Sequence, residues 1–415
     1  MKPEEIPLAD ISFTSTDVLA CPFQAYRILR ESDPVHLDPI SGNRVLTRYD
    51  DIKQVIGDPA TFSNATNRLG ITRDSPVSAQ IEQMFAEQGY PRVATAIDND
   101  PPEHGKMRGL FDFAFRAPRV AAMKDRIDAT VREVLDALDG RTAAEVMADI
   151  AVPVPTRIIA DQLGLPRERT ADFKRWSDAV IFSSDPRVPD AQMLEYARQT
   201  IEMQRYIAEA ARVAQANPRD DVVSDVANAK IDGRPATMRE IVWTLQNVLI
   251  AGNESTASAI GSAFRLMIEQ GAEPALRAAP ESIPQFVEEV LRVAAPLQSF
   301  YRRATADAQA GGCPVPAESI LELRYGAANL DPRKFPEPDR VDLARRNSRE
   351  HLGFGFGIHY CPGNVLARTE LVSVLRQALE RFRNFRLAPG ADAYEPLVHL
   401  FVCGPAKLRV AFDRA

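Results

Sequence analysis

The feature that most constrains this chain is a glycine-rich loop near its C-terminus that carries one cysteine. The loop reads HLGFGFGIHYCPGNVLARTE, in which Gly353, Gly355 and Gly357 precede Cys361, and a helical pattern begins near Asn364. Glycines let the backbone bend sharply and approach another group closely. A thiolate that lies before the N-terminus of a helix is stabilised by the helix dipole and by nearby N–H groups. The pattern therefore predicts a cysteine that is kept ionised as a metal ligand.

Other interpretations of Cys361 find less support in the residues around it. A free cysteine is often only a small buried hydrophobic residue. A phosphate-binding loop would have G-x-G-x-x-G spacing or a G-K-[ST] ending, and this loop has neither. A zinc site would need partners, and the remaining cysteines are scattered at Cys21, Cys313 and Cys403. A nucleophile pair of Cys361 with His359 is a further alternative.

The cysteine loop resembles the haem-binding loop F-G-x-G-x-H-x-C-x-G of the cytochrome P450 family, and six fixed positions agree: Phe354, Gly355, Gly357, His359, Cys361 and Gly363. The resemblance implies that Cys361 ligates the iron of haem b (iron protoporphyrin IX). It implies that Phe354, Gly355 and Gly363 contact this cofactor. It also implies a mainly α fold with a small β region, in which haem lies between a long central helix and the cysteine loop with its following helix. We expect a single domain over residues 1–415.

A second segment of the resemblance is Glu289-x-x-Arg292, which matches the E-x-x-R helix of the family. Glu and Arg three residues apart share a helix face and can pair. In the family an arginine from a later segment joins them, and here PDRV supplies Arg340. We expect these three residues to be structural and to support the haem-binding loop.

Haem carries two propionates, which need cations or hydrogen-bond donors. The segment DPPEHGKMR resembles the family's D-P-P-E-H-x-x-x-R and implies His104 and Arg108 as partners. The segment RRATADAQAGG implies Arg302, and His359 in the cysteine loop is the fourth candidate.

A long helix is predicted from Thr237 and Glu240, which make a capping box, to a stop at Gly271. Its middle reads VLIAGNESTASAIGSAF. Other elements predicted from the pattern are two short strands around a turn at 38–43, a loop-like region over 62–102, a second capping box from Ser282 to Gln285, and a hairpin turning at Gly404-Pro405.

The interior AGNEST of the long helix resembles the family's [AG]-G-x-[DE]-T-[TS]. The resemblance implies that Ala251 and Gly252 lie beside haem, and that Glu254 and Ser255 relay protons for the activation of O2, with Thr256 following. Ser255 stands where threonine is usual. Serine keeps the hydroxyl but loses the β-branch that restricts its rotamer, so we hypothesise a relay with looser positioning and more peroxide leakage.

Bulk properties exclude several classes of protein. The formal net charge of −7 argues against a nucleic-acid binder, which would carry a basic excess. The N-terminus MKPEEIPLADISF has no basic start followed by an apolar run, so we expect no secretory signal. No apolar run reaches the roughly 18 residues of a membrane-spanning helix. We therefore expect a cytoplasmic monomer with no membrane anchor.

The resemblance implies a haem-thiolate monooxygenase that hydroxylates or otherwise oxidises a substrate with O2. We expect no fused reductase, so electrons from NAD(P)H would arrive through a separate ferredoxin or flavodoxin and its reductase. Such carriers are typically acidic, and four basic residues are candidates to dock them: Lys106, Arg345, Arg346 and Arg368.

The resemblance also implies where the substrate pocket lies. It should be lined from the 62–100 region, from the segment around 176–184, and by residues that are mostly apolar, namely Val248, Ala251, Leu297, Ser299, Phe300 and Leu400. An apolar lining predicts a hydrophobic small organic molecule, for which terpenoids, steroids, fatty acids and aromatics all remain open. Three residues are candidate anchors for a substrate carboxylate: Arg68, Arg73 and His399.

Two other functions are alternatives. One is a haem-thiolate enzyme that uses a peroxide directly, as a peroxygenase or an isomerase. The other is a non-enzymatic haem sensor, which would normally carry an output domain. The acid–alcohol pair Glu254-Ser255 favours the activation of O2 over both.

Overall fold

The computed structural model describes residues 7–65, 76–162 and 166–415. Helices dominate this part of the chain. In chain order they are α1 Thr16–Ala20, α2 Phe23–Ser32, α3 Tyr49–Gly57, α4 Ser78–Gln88, α5 Glu103–Arg108, α6 Ala117–Ala122, α7 Lys124–Asp136, α8 Pro153–Gln162, α9 Thr170–Phe182, α10 Asp190–Ala216, α11 Val222–Ala227, α12 Met238–Glu269, α13 Glu273–Ala278, α14 Ile283–Ala294, α15 Tyr325–Asn329 and α16 Asn364–Arg381. The mainly α prediction is confirmed.

The strands are short and form small sheets. In chain order they are β1 Val35–Leu37, β2 Arg44–Leu46, β3 Phe62–Ser63, β4 Ala143–Glu145, β5 Lys230–Ile231, β6 Arg234–Pro235, β7 Ser299–Ala304, β8 Ala308–Ala310, β9 Cys313–Val315, β10 Ile320–Arg324, β11 Phe382–Leu387, β12 Tyr394–Pro396 and β13 Pro405–Arg414.

The larger sheet has the strand order β1-β2-β10-β7-β3. The predicted strands around 38–43 are its antiparallel β1–β2 pair, in which Val35 lies opposite Leu46. Strand β10 runs parallel to β2 and antiparallel to β7. Side chains alternate between the two faces of a strand. Phe300 and Arg302 therefore share one face of β7, while Ser299 and Tyr301 share the other.

The C-terminal sheet has the order β11-β13-β12, with β4 also paired to β13. The predicted hairpin at Gly404-Pro405 is wrong, because β13 begins at Pro405 and its hairpin partner is β12. Residues 397–404 form a loop instead. Val402 of that loop bridges Leu297, and the N–H groups of Phe401 and Val402 donate to Nδ1 of His399 within the loop.

Helix α12 runs through the centre of the molecule. Its predicted capping box is confirmed, since Glu240 accepts from the backbone N–H of Thr237 while Thr237 accepts from that of Glu240. The helix continues unbroken through 251–256 and ends before Gly271, which has φ +62°. Helices α8, α9, α10, α14 and α16 pack against it. Gly261 permits one close approach, because a Cβ there would collide with Sδ of Met147.

Two other predictions of local structure are corrected. The region 62–102 is not entirely loop-like, because it contains α4. The second capping box, from Ser282 to Gln285, is not formed. Ser282 has helical backbone angles at the end of a 3₁₀ turn, so its hydroxyl donates back to the carbonyl of Ala279, and Gln285 donates to the carbonyl of Arg345.

None of the described helices is long and apolar enough to cross a membrane.

Candidate active site

The cysteine loop folds tightly before α16. Gly355 and Gly357 have φ values of +72° and +66°, a left-handed conformation that favours glycine. The backbone N–H of Cys361 donates to the carbonyl of Phe354 at 2.9 Å, which closes the loop. Gly363 is the N-cap residue of α16, so Cys361 lies three residues before the first helical residue, Asn364, as the sequence predicts.

The surroundings of Cys361 modify the expectation of a preformed thiolate. Burial raises the pKa of the Cys361 thiol, while the backbone N–H of Gly363 and the charges of Arg108 and Arg368 act in the opposite direction. Burial is the larger effect, so the helix terminus alone does not ionise the sulfur. A metal cation deprotonates a coordinating thiol outright, and the site therefore fits an iron ligand better than a free nucleophile.

A buried ion-pair cluster joins α14 to the segment 336–345, which precedes the cysteine loop. Glu289 and Arg292 are fully buried and pair in a bidentate manner, with Nε to Oε1 at 2.7 Å and Nη2 to Oε2 at 2.9 Å. Arg345 completes the cluster through Nε to Oε2 of Glu289 at 3.1 Å. The prediction that Arg340 fills this position is wrong. The Arg340 side chain is exposed and pairs with Glu337, and only its backbone carbonyl accepts from Arg292.

A second cluster links α14 to the cysteine loop. Glu288 accepts from Nε of Arg368 at 2.6 Å, and its other oxygen lies 3.3 Å from Nε2 of His351. The guanidinium of Arg368 lies 4.5 Å from the ring centroid of Phe354. Phe354 is therefore fixed on one side by a cation, which holds its ring next to the cysteine turn.

Four predicted donors for haem carboxylates come together at the cysteine loop. The rings of His104 and His359 lie 4.5 Å apart. Arg302 is almost fully buried, and burial together with the charges of Arg302, His104 and Arg108 lowers the pKa of His359 to about 3. Arg108 joins the loop directly through Nη2 to the carbonyl of Tyr360 at 2.8 Å.

This donor cluster fits the propionates of haem. Among the described residues, Nε2 of His104 and Nε2 of His359 are buried without a hydrogen-bond partner. Buried polar atoms in native proteins are almost always paired. Unpaired donors beside two arginines therefore call for an anionic acceptor that the chain itself does not supply.

The centre of α12 presents a partly exposed stripe within an otherwise buried helix. Between 241 and 264, only Asn247, Ile250, Ala251, Gly252 and Ser255 are not fully buried. Spacings of three and four place residues on one side of a helix. Asn247, Ala251 and Ser255 therefore lie on one partly exposed side of α12, the open side of this helix.

Two predicted residues of α12 have other surroundings. Val248 belongs to the main hydrophobic core and is only 6% exposed, so it does not lie on the open side of α12. A Cβ at Gly252 would meet Cδ1 of Ile159 at 3.2 Å, so this glycine permits α8 to pack closely rather than facing the cysteine loop.

The predicted proton-relay residues lie next to this stripe. Glu254 is buried and pairs with Nζ of Lys174 on α9 at 3.2 Å. The hydroxyl of Ser255 donates to the carbonyl of Ala251 at 2.8 Å. Thr256, the next residue of α12, is also buried. The acid is thus tethered to a neighbouring helix, and the alcohol is bound to its own helix backbone.

Among the predicted substrate-lining residues, Leu297 and Phe300 are half-buried. Ser299 is corrected, because it lies on the opposite face of β7 from Phe300, at 1% exposure. There it lies beside Glu322, whose carboxyl pKa is raised by burial while a hydrogen bond from Ser299 acts in the opposite direction. Leu400 is fully buried, as is Trp176, which packs against Phe173.

His399 is not supported as an anchor for a substrate carboxylate. Burial lowers the pKa of His399 to about 4, and its Nδ1 accepts two backbone N–H bonds, so the ring is neutral. Arg68 and Arg73 lie outside the described residues.

Three of the four candidate docking residues form ion pairs within the chain, and the fourth is exposed. Arg345 is buried in the Glu289 cluster, Arg368 pairs with Glu288, and Lys106 pairs with Glu103. Arg346 is exposed. Arg345 therefore does not contribute to a docking surface, and its assignment there is corrected.

Comparison with known proteins agrees with this geometry. A family model described as cytochrome P450 matches residues 281–411. The chain is 30% identical to cytochrome P450 107B1 of Saccharopolyspora erythraea over 93% of both chains. It is 32% identical to a steroid C26-monooxygenase of Mycolicibacterium smegmatis, over 94% of this chain and 92% of the relative. The solved structure of cytochrome P450 CYP109Q5 from Chondromyces apiculatus has a TM-score of 0.85 and 32% identity, covering 98% of this chain and 99% of that one.

The chain belongs to the cytochrome P450 family and has the fold of that family. It is a cytochrome P450 monooxygenase, an oxidoreductase.

Proposed function

We propose that this protein binds haem b with Cys361 as the iron ligand and oxidises an apolar small molecule with O2. The observation that carries the proposal is the cluster of His104, His359, Arg302 and Arg108 beside the cysteine loop, with two buried ring nitrogens that no described residue satisfies. Thiolate-ligated haem supplies the chemistry of O–O bond cleavage when it is bound.

The residues of the chain would supply protons to this chemistry. Glu254 lies at the edge of the open stripe of α12 and contacts Lys174, whose side chain is 29% exposed. A carboxylate in that position can take up a proton from solvent and pass it inward. The Ser255 hydroxyl can receive a proton on Oγ while its own proton rotates away from the carbonyl of Ala251. Glu254 and Ser255 are therefore the proposed relay, with Thr256 behind them.

The substrate would lie against Ile250 and Ala251 of α12, Leu297, and Phe300 of β7. These side chains are apolar, and apolar pockets take apolar ligands. We propose a hydrophobic substrate such as a terpenoid, a steroid, a fatty acid or an aromatic. The similarity to a steroid C26-monooxygenase supports a steroid as the first compound to test.

Electrons would come from NAD(P)H through a ferredoxin or flavodoxin and its reductase. The exposed Arg346 and the rim of the cysteine loop, where Phe356 and Tyr360 are exposed, are the proposed contact area. We propose that the protein works in the cytoplasm as a monomer.

Direct use of a peroxide is a second candidate, favoured by one observation. Glu254 is tied to Lys174, and the hydroxyl of Ser255 is bound to the helix backbone, so neither group of the relay faces the other directly. A peroxide-driven reaction brings its own O–O bond and both electrons, and it depends less on such a relay.

The test is spectroscopy of the purified haem protein. Reduction under carbon monoxide should give the band of a thiolate-ligated haem, and titration with a panel of hydrophobic compounds should shift the Soret band. Cys361→Ser should abolish the thiolate band, whereas the matched variant Cys313→Ser, at another half-buried cysteine, should keep it. A protein without a Soret band, or a Cys361→Ser variant with an unchanged spectrum, would contradict the assignment. Turnover with peroxide but not with NADH and redox partners would select the second candidate.

A further inference from the structure

Asn247 is a polar residue on the open side of α12. It lies four residues, one helical turn, before Ala251 and eight residues before Ser255. At 1.5 Å per residue these positions are about 6 Å and 12 Å apart along the helix axis. The stripe residue between Asn247 and Ala251 is Ile250, so Asn247 places an amide beside an apolar lining.

The segment 90–98 covers the same side of α12 up to Asn247. Arg239 donates from Nε to the carbonyl of Pro91 at 2.6 Å, and Nε1 of Trp243 donates to the carbonyl of Tyr90 at 3.0 Å. One turn further, Nδ2 of Asn247 donates to Oγ1 of Thr95 at 2.7 Å. The segment 90–98 does not cover α12 beyond Asn247, because Ala251 is exposed and Ser255 is partly exposed. Asn247 therefore lies at the boundary between the covered and the open parts of the stripe.

The hydrogen bonds around Thr95 fix the orientation of the Asn247 amide. Oγ1 of Thr95 donates its only proton to Oδ2 of Asp98 at 3.0 Å. The carboxylate of Asp98 also pairs with Nη2 of Arg92 at 2.7 Å, so it acts as an acceptor. Oγ1 of Thr95 has no second proton to give and can only accept from Asn247. The amide NH2 group must therefore face Thr95.

With Nδ2 committed to Thr95, Oδ1 of Asn247 is directed away from the covering segment. Asn247 is only partly buried, and no hydrogen-bond donor among the described residues contacts Oδ1. An amide oxygen held in a fixed direction at an apolar wall recognises a donor and disfavours an acceptor. A flipped amide would place Oδ1 against Oγ1 of Thr95 with no proton between them, so the preference does not average out.

We infer that Asn247 is a specificity-determining residue that accepts a hydrogen bond from a substrate hydroxyl or N–H group. The substrate would be an apolar molecule with one such donor about one helical turn from the position beside Ala251. This inference rests on the proposed function, because it assumes that the open side of α12 borders the substrate pocket.

The experiment measures spectral dissociation constants of the haem protein for two series of N-alkylimidazoles, which report binding by ligating the iron. One series ends in a methyl group and the other in a hydroxyl, over chains of about three to ten carbons. The ratio of the two constants at each length isolates the terminal group. At the best-fitting length, Asn247→Leu should weaken the hydroxyl compound relative to the methyl compound by about three- to tenfold, the range of one neutral hydrogen bond.

Two further variants separate recognition from general disturbance. Thr95→Val keeps the shape of the side chain but removes the oxygen that accepts from Nδ2 of Asn247, so the Asn247 amide is free to flip. A third series of imidazoles, ending in a methoxy group, offers an acceptor and no donor. In Thr95→Val the ratio of the dissociation constants of the hydroxyl and methoxy compounds should move toward one. Thr244→Val, at a fully buried position on the same helix, should leave every ratio unchanged.

A change in Asn247→Leu that is equal at all chain lengths, or no change at any length, would overturn the role of Asn247 while leaving the haem pocket intact. Failure of all imidazoles to shift the Soret band of the unaltered protein would overturn both this inference and the proposed function.

Discussion

Lys174 and Glu254 form an ion pair between α9 and α12, with 3.2 Å between Nζ and Oε2. The Glu254 side chain is 10% exposed, and Lys174 also contacts Asp178 one turn further along α9. Burial by itself would lower the pKa of Lys174, but the carboxylates of Glu254 and Asp178 outweigh it and leave this pKa raised. The cation therefore stays charged and holds the proposed proton-relay acid toward α9.

Replacement of Lys174 by Met should impair proton supply without removing haem. Met keeps much of the volume but leaves the carboxylate of Glu254 without its cation, and an unpaired buried charge is strongly disfavoured. We expect the product formed per NADH to fall by roughly three- to tenfold, with a changed solvent isotope effect on turnover. The measurement is NADH consumption against product in water and in heavy water.

The matched control for this change is Lys174→Arg, which keeps the cation and should retain most of the coupling. The carbon monoxide spectrum should be the same in both variants, because neither touches the cysteine loop. If Lys174→Met couples as well as the unaltered protein, the tether has no part in catalysis.

Ser255 gives a second prediction about coupling. Its hydroxyl is already bonded to the carbonyl of Ala251, and it lacks the β-branch that would restrict its rotamer. Ser255→Ala should therefore lower product per NADH and raise hydrogen peroxide, whereas Ser255→Thr should raise product per NADH above that of the unaltered protein. Both are measured by quantifying product, peroxide and NADH together. Unchanged coupling in Ser255→Ala would show that Ser255 has no part in the relay, and Thr256 would then be the candidate hydroxyl.

The sequence predicts most of the parts that follow regular patterns. The capping box of α12 and its end before Gly271 could be foreseen because both depend on local backbone chemistry. The mainly α fold could be foreseen because the cysteine loop resembles that of a known family, and the tight turn before α16 could be foreseen because it needs the glycines that precede Cys361. The four proposed donors to the haem carboxylates could be placed only through a family resemblance, since nothing local ties His104 to His359.

The errors have identifiable physical causes, some local and one of them a distant contact. Ser282 is followed by the correct residue for a capping box, yet a preceding 3₁₀ turn removes the extended backbone that a cap requires. The sequence-based prediction puts Ser299 in the pocket with Phe300, although neighbours on a strand point to opposite faces. Asn247 was missed because its role depends on a hydrogen bond to Thr95, which is 152 residues away in sequence.

The exchange of Arg340 for Arg345 in the ion-pair cluster can be tested by stability. Arg345→Met removes a buried bond to Glu289 but leaves Arg292 in place, so we expect a loss of about 2–3 kcal/mol in the free energy of unfolding. Arg340→Met changes an exposed side chain and should stay within about 0.5 kcal/mol. Urea unfolding of the haem protein, followed at the Soret band, measures both. Equal losses in the two variants would show that the cluster is assigned incorrectly.

The capping residue of α12 gives a prediction about pH. The hydrogen bond from Arg234 is the largest cause that lowers the pKa of Glu240 to about 2 from its ordinary value of 4.5, with bonds from Thr237 contributing. Because the folded-state pKa lies below the unfolded one, this stabilisation is complete above pH 4.5 and is lost as the pH falls toward 2.

Glu240→Gln keeps the capping geometry but not the charge, and Arg234 is half-exposed to solvent. After allowance for that screening, we expect a loss of about 1–2 kcal/mol at pH 7. The difference from the unaltered protein should shrink steadily between pH 5 and pH 3 in urea unfolding series. Arg234→Gln should also lower the stability at pH 7, and the double variant should add little to either single change, since both changes remove the same ion pair. A difference that stays constant from pH 7 to pH 3 would mean that the charge of Glu240 does not stabilise the start of α12.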